Sequence, residues 1–294
     1  MAAGQSTDAE ITVTSWDPKR EGEAVTAGWA GGAYRDWRTL DAAAIAVESA
    51  RLARLSANPV RLEPGRRTTI LGRPAMAQII RAMGRDYDAA ATLMNATPLS
   101  GPPLRTQILD HRITLSLDPN DPDGGSLAFD DQGIPRRAMT WLDRGRLVNL
   151  AYDPQFALIS GVAEATEAPE SLRLTAAAGT SLATEAEMIA RCAEGIYVNR
   201  VADIQVLDER SGLLTGVTHG GCFLIQQGKI VKAVKDFRFI DSAYFFLNRL
   251  DAIGAAERTA FGYAPWYGDW PVAPTIVPPV MVRDFNFSAL AETV

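Results

Sequence analysis

The chain has 294 residues and is 47% hydrophobic, enough for a large core in one or two domains. Its 29 Lys and Arg against 35 Asp and Glu give a formal net charge of -6, which argues against a nucleic-acid surface, because phosphate binding calls for a clustered excess of cations. The first ten residues lack a basic segment followed by an apolar run, and no later stretch is apolar for long enough to span a bilayer, so a soluble cytoplasmic protein with neither nucleic-acid nor membrane partners is expected.

Met1 to about Trp37 is Gly-rich and polar and reads as a strand pair or N-terminal arm (1–37), ahead of a domain spanning 38–294. From Thr39, as N-cap, the Ala-rich run to Leu55 predicts a helix with Leu40, Ala44, Val47, Arg51 and Leu55 at helical spacing, ended by Asn58-Pro59. A strand through Leu62, a second through Ile70 and a helix from Pro74 to Gly84 follow, Pro sitting in the first turn. Residues 85–107 are of mixed polarity and end in Pro102-Pro103, a long connection of the kind that is often functional.

Arg112 to Leu117 predicts a strand. Residues 124–135 read Gly-Gly-Ser-Leu-Ala-Phe-Asp-Asp-Gln-Gly-Ile-Pro, a turn cluster in which Asp can bond its own backbone and Gly accepts positive φ. Arg136 to Leu142, the turn Asp143-Arg144-Gly145-Arg146 and Leu147 to Tyr152 then predict a hairpin. Thr184 and Glu187 form a capping box for a helix over 185–194. Strands are expected at Ile204–Leu207, Leu213–Val217, Cys222–Gln226 and Ile230–Val234. A helix over 242–253 is expected with Ala243, Phe246, Leu247, Leu250 and Ile253 as its apolar stripe. Consecutive hairpins imply an α+β fold: a large, mainly antiparallel sheet with a few packed helices.

Few side chains offer chemistry. His111 follows Asp110 at a strand entry and His219 sits beside Gly220-Gly221. Neither has a partner at metal spacing, so polar loop or strand-end roles are expected. Cys192, on a helix, and Cys222, at the start of a strand, read as free buried thiols. Asp118, Asp121 and Asp123 imitate a calcium loop, yet Pro122 falls at a ligand position and no Glu occupies the twelfth place, which leaves a solvated turn. Asp130 and Asp131 are adjacent and point different ways, so they read as turn formers. In the tail, Trp266, Tyr267 and Trp270 lie among Gly and Pro, where they either cap the core or form a rim for peptide or a partner subunit.

The order of an acidic Phe-Asp-Asp-x-Gly-x-Pro turn and a hairpin with a charged turn resembles the C-terminal domain of the TldD/PmbA family, also called modulator of DNA gyrase. Val60 to Gly65, Arg112 to Leu117 with Asp118-Pro119, Gly195 to Val198 and Cys222 to Ile230 match its motifs in order, so that the resemblance covers roughly residues 36 to 290. It implies peptide processing, since active members are zinc metallopeptidases with His-Glu-x-x-x-His on a helix and a cysteine near the C-terminus. Aligning Ile79-Ile80 with the family's apolar pair puts Arg81 and Asp86 at the histidine positions and Ala82 at the general base; a shift by one gives Ile80 and Arg85. An arginine facing such a site would repel a dication, and no cysteine follows Cys222.

The resemblance therefore implies a chain with no catalytic residues, no metal ligands and no cofactor of its own. It would be the metal-free, non-catalytic subunit of a pair with a zinc-bearing TldD-like partner, or a homo-oligomer, handling a peptide substrate. An active metallopeptidase with atypical ligands and a stand-alone peptide-binding module are the alternatives. Only the final helix of the family's N-terminal α/β domain is matched, so a version of the C-terminal domain alone is expected.

Overall fold

The computed structural model describes residues 7–16, 27–124, 129, 133–162, 164–166, 172–260 and 275–291. Strands β1 (Ala9–Trp16) and β2 (Ala27–Tyr34) pair antiparallel along their whole length. A 3-10 turn over Trp37–Thr39 leads into α1 (Ala42–Leu55). The N-cap is Asp41, whose carboxylate accepts from the Ala44 amide at 2.9 Å, and not Thr39, whose hydroxyl instead donates to Asp36 O at 2.8 Å.

The buried face of α1 also differs from the expected stripe. Ile45, Ser49, Leu52 and Ala53 are buried, whereas Val47 is 69% exposed and Leu55 39%. The cause lies in the partner surface. Helix and strand touch at Gly28, where an added Cβ would stand 2.1 Å from Ala53 N and 2.2 Å from Ser49 O. Backbone-to-backbone approach of this kind needs small residues on both sides, so Ser49 and Ala53 face the strand, and the Ser49 hydroxyl donates to Gly28 O at 2.9 Å.

β3 (Gly65–Leu71) precedes α2 (Arg73–Met83), which has Pro74 in its first turn and buries Ala75, Met76, Ala77, Ile79, Ile80 and Met83. The segment around Leu62 is not a full strand; Val60 alone makes a bridge, to Val234. The connection after α2 begins with a 3-10 turn (Gly84–Tyr87) and α3 (Ala89–Leu93), capped by Asp88. β4 (Ile113–Leu117), β5 (Met139–Asp143) and β6 (Arg146–Leu147) follow. The hairpin turn lies at Arg144-Gly145 as expected, but its second strand is short, because the chain is drawn off to the 3-10 turn and α3 through the bonds from Ala151 N to Tyr87 O at 2.7 Å and from Ala89 N to Ala151 O at 2.8 Å.

α4 (Pro154–Ser160) and β7 (Arg173–Ala176) lead to α5 (Glu185–Arg191), where both bonds of the capping box form between Thr184 and Glu187. The expected separate strands then merge. β8 (Glu194–Asp208) and β9 (Leu213–Gln226) are each continuous, and Gly220 and Gly221, both at positive φ, let β9 pass through a bulge instead of turning. His219 and Cys222 are thus mid-strand residues. β10 (Lys229–Ala233) and β11 (Phe237–Ser242) come next.

The helix expected over 242–253 is only α6 (Ala243–Phe246), extended by a 3-10 turn over Leu247–Arg249. Leu250 and Ile253 are buried, but on β12 (Leu250–Ile253), because pairing with the last strand captures this segment. β13 (Glu257–Thr259), β14 (Thr275–Val277) and β15 (Val280–Leu290) complete the chain.

The fold is α+β and mainly antiparallel, with the strands of the described residues divided among three sheets. In the largest, β8, β9, β11, β15 and β3 pair in turn and β3 pairs back to β8, so the strands close into a ring with β10 and β12 on its flanks. Phe237, Phe239, Phe246, Phe285 and Phe287 pack together there, with ring centroids 4.6 to 5.3 Å apart. The second sheet runs β13-β14-β7-β4-β5-β6, and α2 shares one continuous core with both. The β1–β2 hairpin is held to the ring by Asn199, which donates to Trp29 O at 2.9 Å, and by the Arg200 guanidinium 4.9 Å above the Trp29 ring.

Candidate functional site

The C-terminal end of α2 and the turn after it carry the positions that the resemblance aligns with zinc ligands. Their side chains go different ways. Ile80 is completely buried in the common core, and Arg81 and Arg85 are exposed. Asp86 turns toward α6. Its Oδ2 accepts from the Tyr244 hydroxyl at 3.0 Å, a bond between the 3-10 turn and α6.

Burial pushes the Asp86 carboxyl up to about 7; the Tyr244 bond and the charge of Arg85 pull against this, and Glu209 adds to it. Tyr87, the next residue, is fully buried, and its hydroxyl lies close to Tyr244 without an aligned hydrogen bond. Burial raises both phenols. The Tyr87 ring packs on Trp141 at 5.7 Å, and the Trp141 indole N–H has no partner among the described residues. What forms is a carboxyl that gains or loses a proton near neutrality, held by a phenol. Such a group can relay or store a proton, and half of it is neutral where a metal ligand would have to be deprotonated.

Neither alignment brings two ligands together. Arg81 with Asp86 joins an exposed cation to a half-buried acid; Ile80 with Arg85 joins a core residue to a surface one. Among the described residues no three His, Cys, Asp or Glu side chains converge as a metal-binding set. His111, exposed and 3.5 Å from Asp110, precedes β4, while His219 is exposed on β9 of a different sheet.

Cys192, the C-cap of α5, and Cys222 are free and buried, and burial raises both thiols, which suppresses the reactive thiolate. The acidic turn at 118–123 is less solvated than expected. Asp118 and Asp121 accept backbone N–H bonds at 2.9 Å, and Asp121 is largely buried in an ion pair with Arg173 at 2.5 Å. Asp130, Asp131, Trp266, Tyr267 and Trp270 lie outside the described residues; Phe129 and Pro135, on either side of the first pair, form an isolated antiparallel bridge.

Tyr244 and Tyr87 are the members of this site that sequence reading missed. Tyr244 stands inside the run Ala243-Tyr244-Phe245-Phe246, where an apolar stripe is the natural reading. A signal was available only in the 158-residue separation between Asp86 and its partner, which no local pattern encodes.

The model of the PmbA/TldA metallopeptidase C-terminal domain matches residues 64–289. Among curated proteins, none matches the sequence significantly. In fold, the chain is similar to a proposed modulator of a DNA gyrase from Thermotoga maritima, with a TM-score of 0.78 at 17% identity over 94% of this chain and 61% of that one. A proposed modulator of DNA gyrase from Bacteroides thetaiotaomicron gives 0.74 at 20% identity, over 96% of this chain and 59% of its own. TldE from Thermococcus kodakarensis gives 0.74 at 19% identity, over 95% of this chain and 62% of its own. The chain thus spans about three fifths of the length of these structures. With the domain match extending over most of the sequence and the same fold beneath it, the chain belongs to the TldD/PmbA family.

Proposed function

We propose that this chain acts in peptide processing as the metal-free, non-catalytic subunit of a complex with a zinc-bearing TldD-like protein. The observation that carries this reading is the end of α2: at the aligned positions stand a core isoleucine, two exposed arginines and a proton-binding aspartic acid tied to Tyr244. A hydrolytic zinc site needs deprotonated ligands, a base and an open position for water. The residues at hand supply a packed helix end in place of the first two, so hydrolysis would fall to the partner. Among the described residues no helix is long and apolar enough to cross a membrane.

Peptidase assays on this chain, on a candidate TldD-like protein and on their mixture test the proposal, together with size-exclusion chromatography of the mixture. The expected result is a stable complex with chelator-sensitive cleavage that requires the partner. Chelator-sensitive cleavage by this chain alone would establish an active metallopeptidase with other ligands. A chain that binds peptide yet never associates with a TldD-like protein would be a stand-alone peptide-binding module.

A further inference from the structure

A cleft of about 830 Å³ opens where the entry to β4, the β5–β6 turn, the loop after β7, α5 and β12 meet. It lies between the strand ring and the six-stranded sheet, and neither Asp86, Tyr87 nor Tyr244 lines it. Its size is that of a small-molecule site, for which roughly 300–1,000 Å³ is usual. Ala177, Ala183 and Ala252, all nearly buried, form a smooth apolar wall.

The charged groups around this cleft are of two kinds. Some are already spent. Arg112 is clamped by Asp110, with Nε and Nη2 donating at 2.9 and 2.8 Å. Glu187 is engaged in the α5 capping box, and Asp251 pairs with Arg283 at 2.9 Å. Others are unspent. Arg144, at the hairpin turn, makes one long bond of 3.4 Å to Ala178 O, and Arg191, at the end of α5, donates only through Nε to Glu187 O at 3.2 Å. Neither has a carboxylate within ion-pair distance among the described residues, although the Arg191 charge attracts Glu187 one turn back on α5.

Two guanidinium groups with free N–H forks thus face one cavity from two separately anchored elements. Such forks match carboxylate and phosphate oxygens two at a time. The protein as a whole is negative, so this cationic rim runs against its overall field and provides local, not general, attraction for anions. We propose that the cleft binds a small organic anion with at least two carboxylate or phosphate groups. Arg144 and Arg191 anchor its charged ends, and the alanine wall receives its apolar part. This inference does not depend on the peptide-processing role.

Isothermal titration of the full chain with citrate, with inorganic pyrophosphate and with uncharged triethyl citrate tests it. Saturable binding of at least one anion with Kd below about 1 mM is expected, with none for the neutral ester; the anion that binds more tightly distinguishes carboxylate from phosphate recognition. Replacing both Arg144→Gln and Arg191→Gln should weaken binding at least about tenfold, roughly 1.4 kcal/mol, while circular dichroism stays unchanged, since both side chains are exposed. If the double variant melts early, the single substitutions give the same reading. Absence of saturable binding for both anions, or binding that survives loss of both arginines, overturns the proposal.

Discussion

The two ends of α2 handle charge in opposite ways. At its start Arg73 lies near the surface, 2.6 Å from Glu257 and 3.9 Å from Glu185, with every member partly in water. At its finish Asp86 is drawn inward beside two phenols, has no cation bonded to it among the described residues, and burial raises its carboxyl to about 7 so that it gives up part of its charge near neutrality. One helix therefore shows both solutions to the same problem: pair a charge where water remains, or discharge it where water is lost. The position that the family pattern assigns to a metal ligand has taken the second.

Four substitutions sharpen or break this contrast. Ile80→Ala should have the largest effect, toward the upper part of the roughly 2–5 kcal/mol typical for buried aliphatic truncations, read by chemical denaturation. A near-neutral change would mean that Ile80 faces an open site and not the core. Asp86 comes next. Its carboxyl sits near 7 when folded and near 3.8 when unfolded, so the folded state holds the proton more tightly. Its contribution is complete below about pH 4, falls as pH rises toward 7, and amounts to at most roughly 4 kcal/mol. Denaturation midpoints should decline over that window, and Asp86→Asn should flatten the decline; an unchanged profile would place the carboxyl in water.

Tyr244→Phe removes a bond that favours the ionised carboxylate, so the Asp86 midpoint should move further up, with a loss of about 1–2 kcal/mol above it. A carbon-detected NMR titration reads the shift, and a midpoint that falls would show that Tyr244 does not donate to Asp86. Arg73→Gln should have the smallest effect, about 0–1 kcal/mol and weakened further by salt, because water reaches its pair on the Glu257 side. A loss as large as that of Ile80→Ala would erase the distinction between the two ends.

Features decided within a few residues were legible in the sequence. The capping box at Thr184 and Glu187, the turn at Arg144-Gly145 and the Pro74-led helix all depend on neighbours in the chain. Features decided by distant partners were not. The α1 face depends on the bare backbone of Gly28, and β12 is a strand because β15 pairs with it. The site divides along the same line. Asp86 could be located by motif alignment, but its protonation is set by burial and by Tyr244, and the cleft between the sheets gathers Arg144 and Arg191 from segments with no sequence relation.

The closed strand ring carries a kinetic consequence. β3 and β15 adjoin along most of their length, with Gly65 opposite Phe287, so the ring joins segments from distant parts of the chain. Pairings of such long sequence separation require the loop between them to be closed before they give any return, which slows folding. During synthesis β3 and β11 must each wait with one unmet edge until β15 emerges to close the ring. Refolding should accordingly be slow and sensitive to any truncation that reaches Phe285 or Phe287, where the last strand meets the aromatic core.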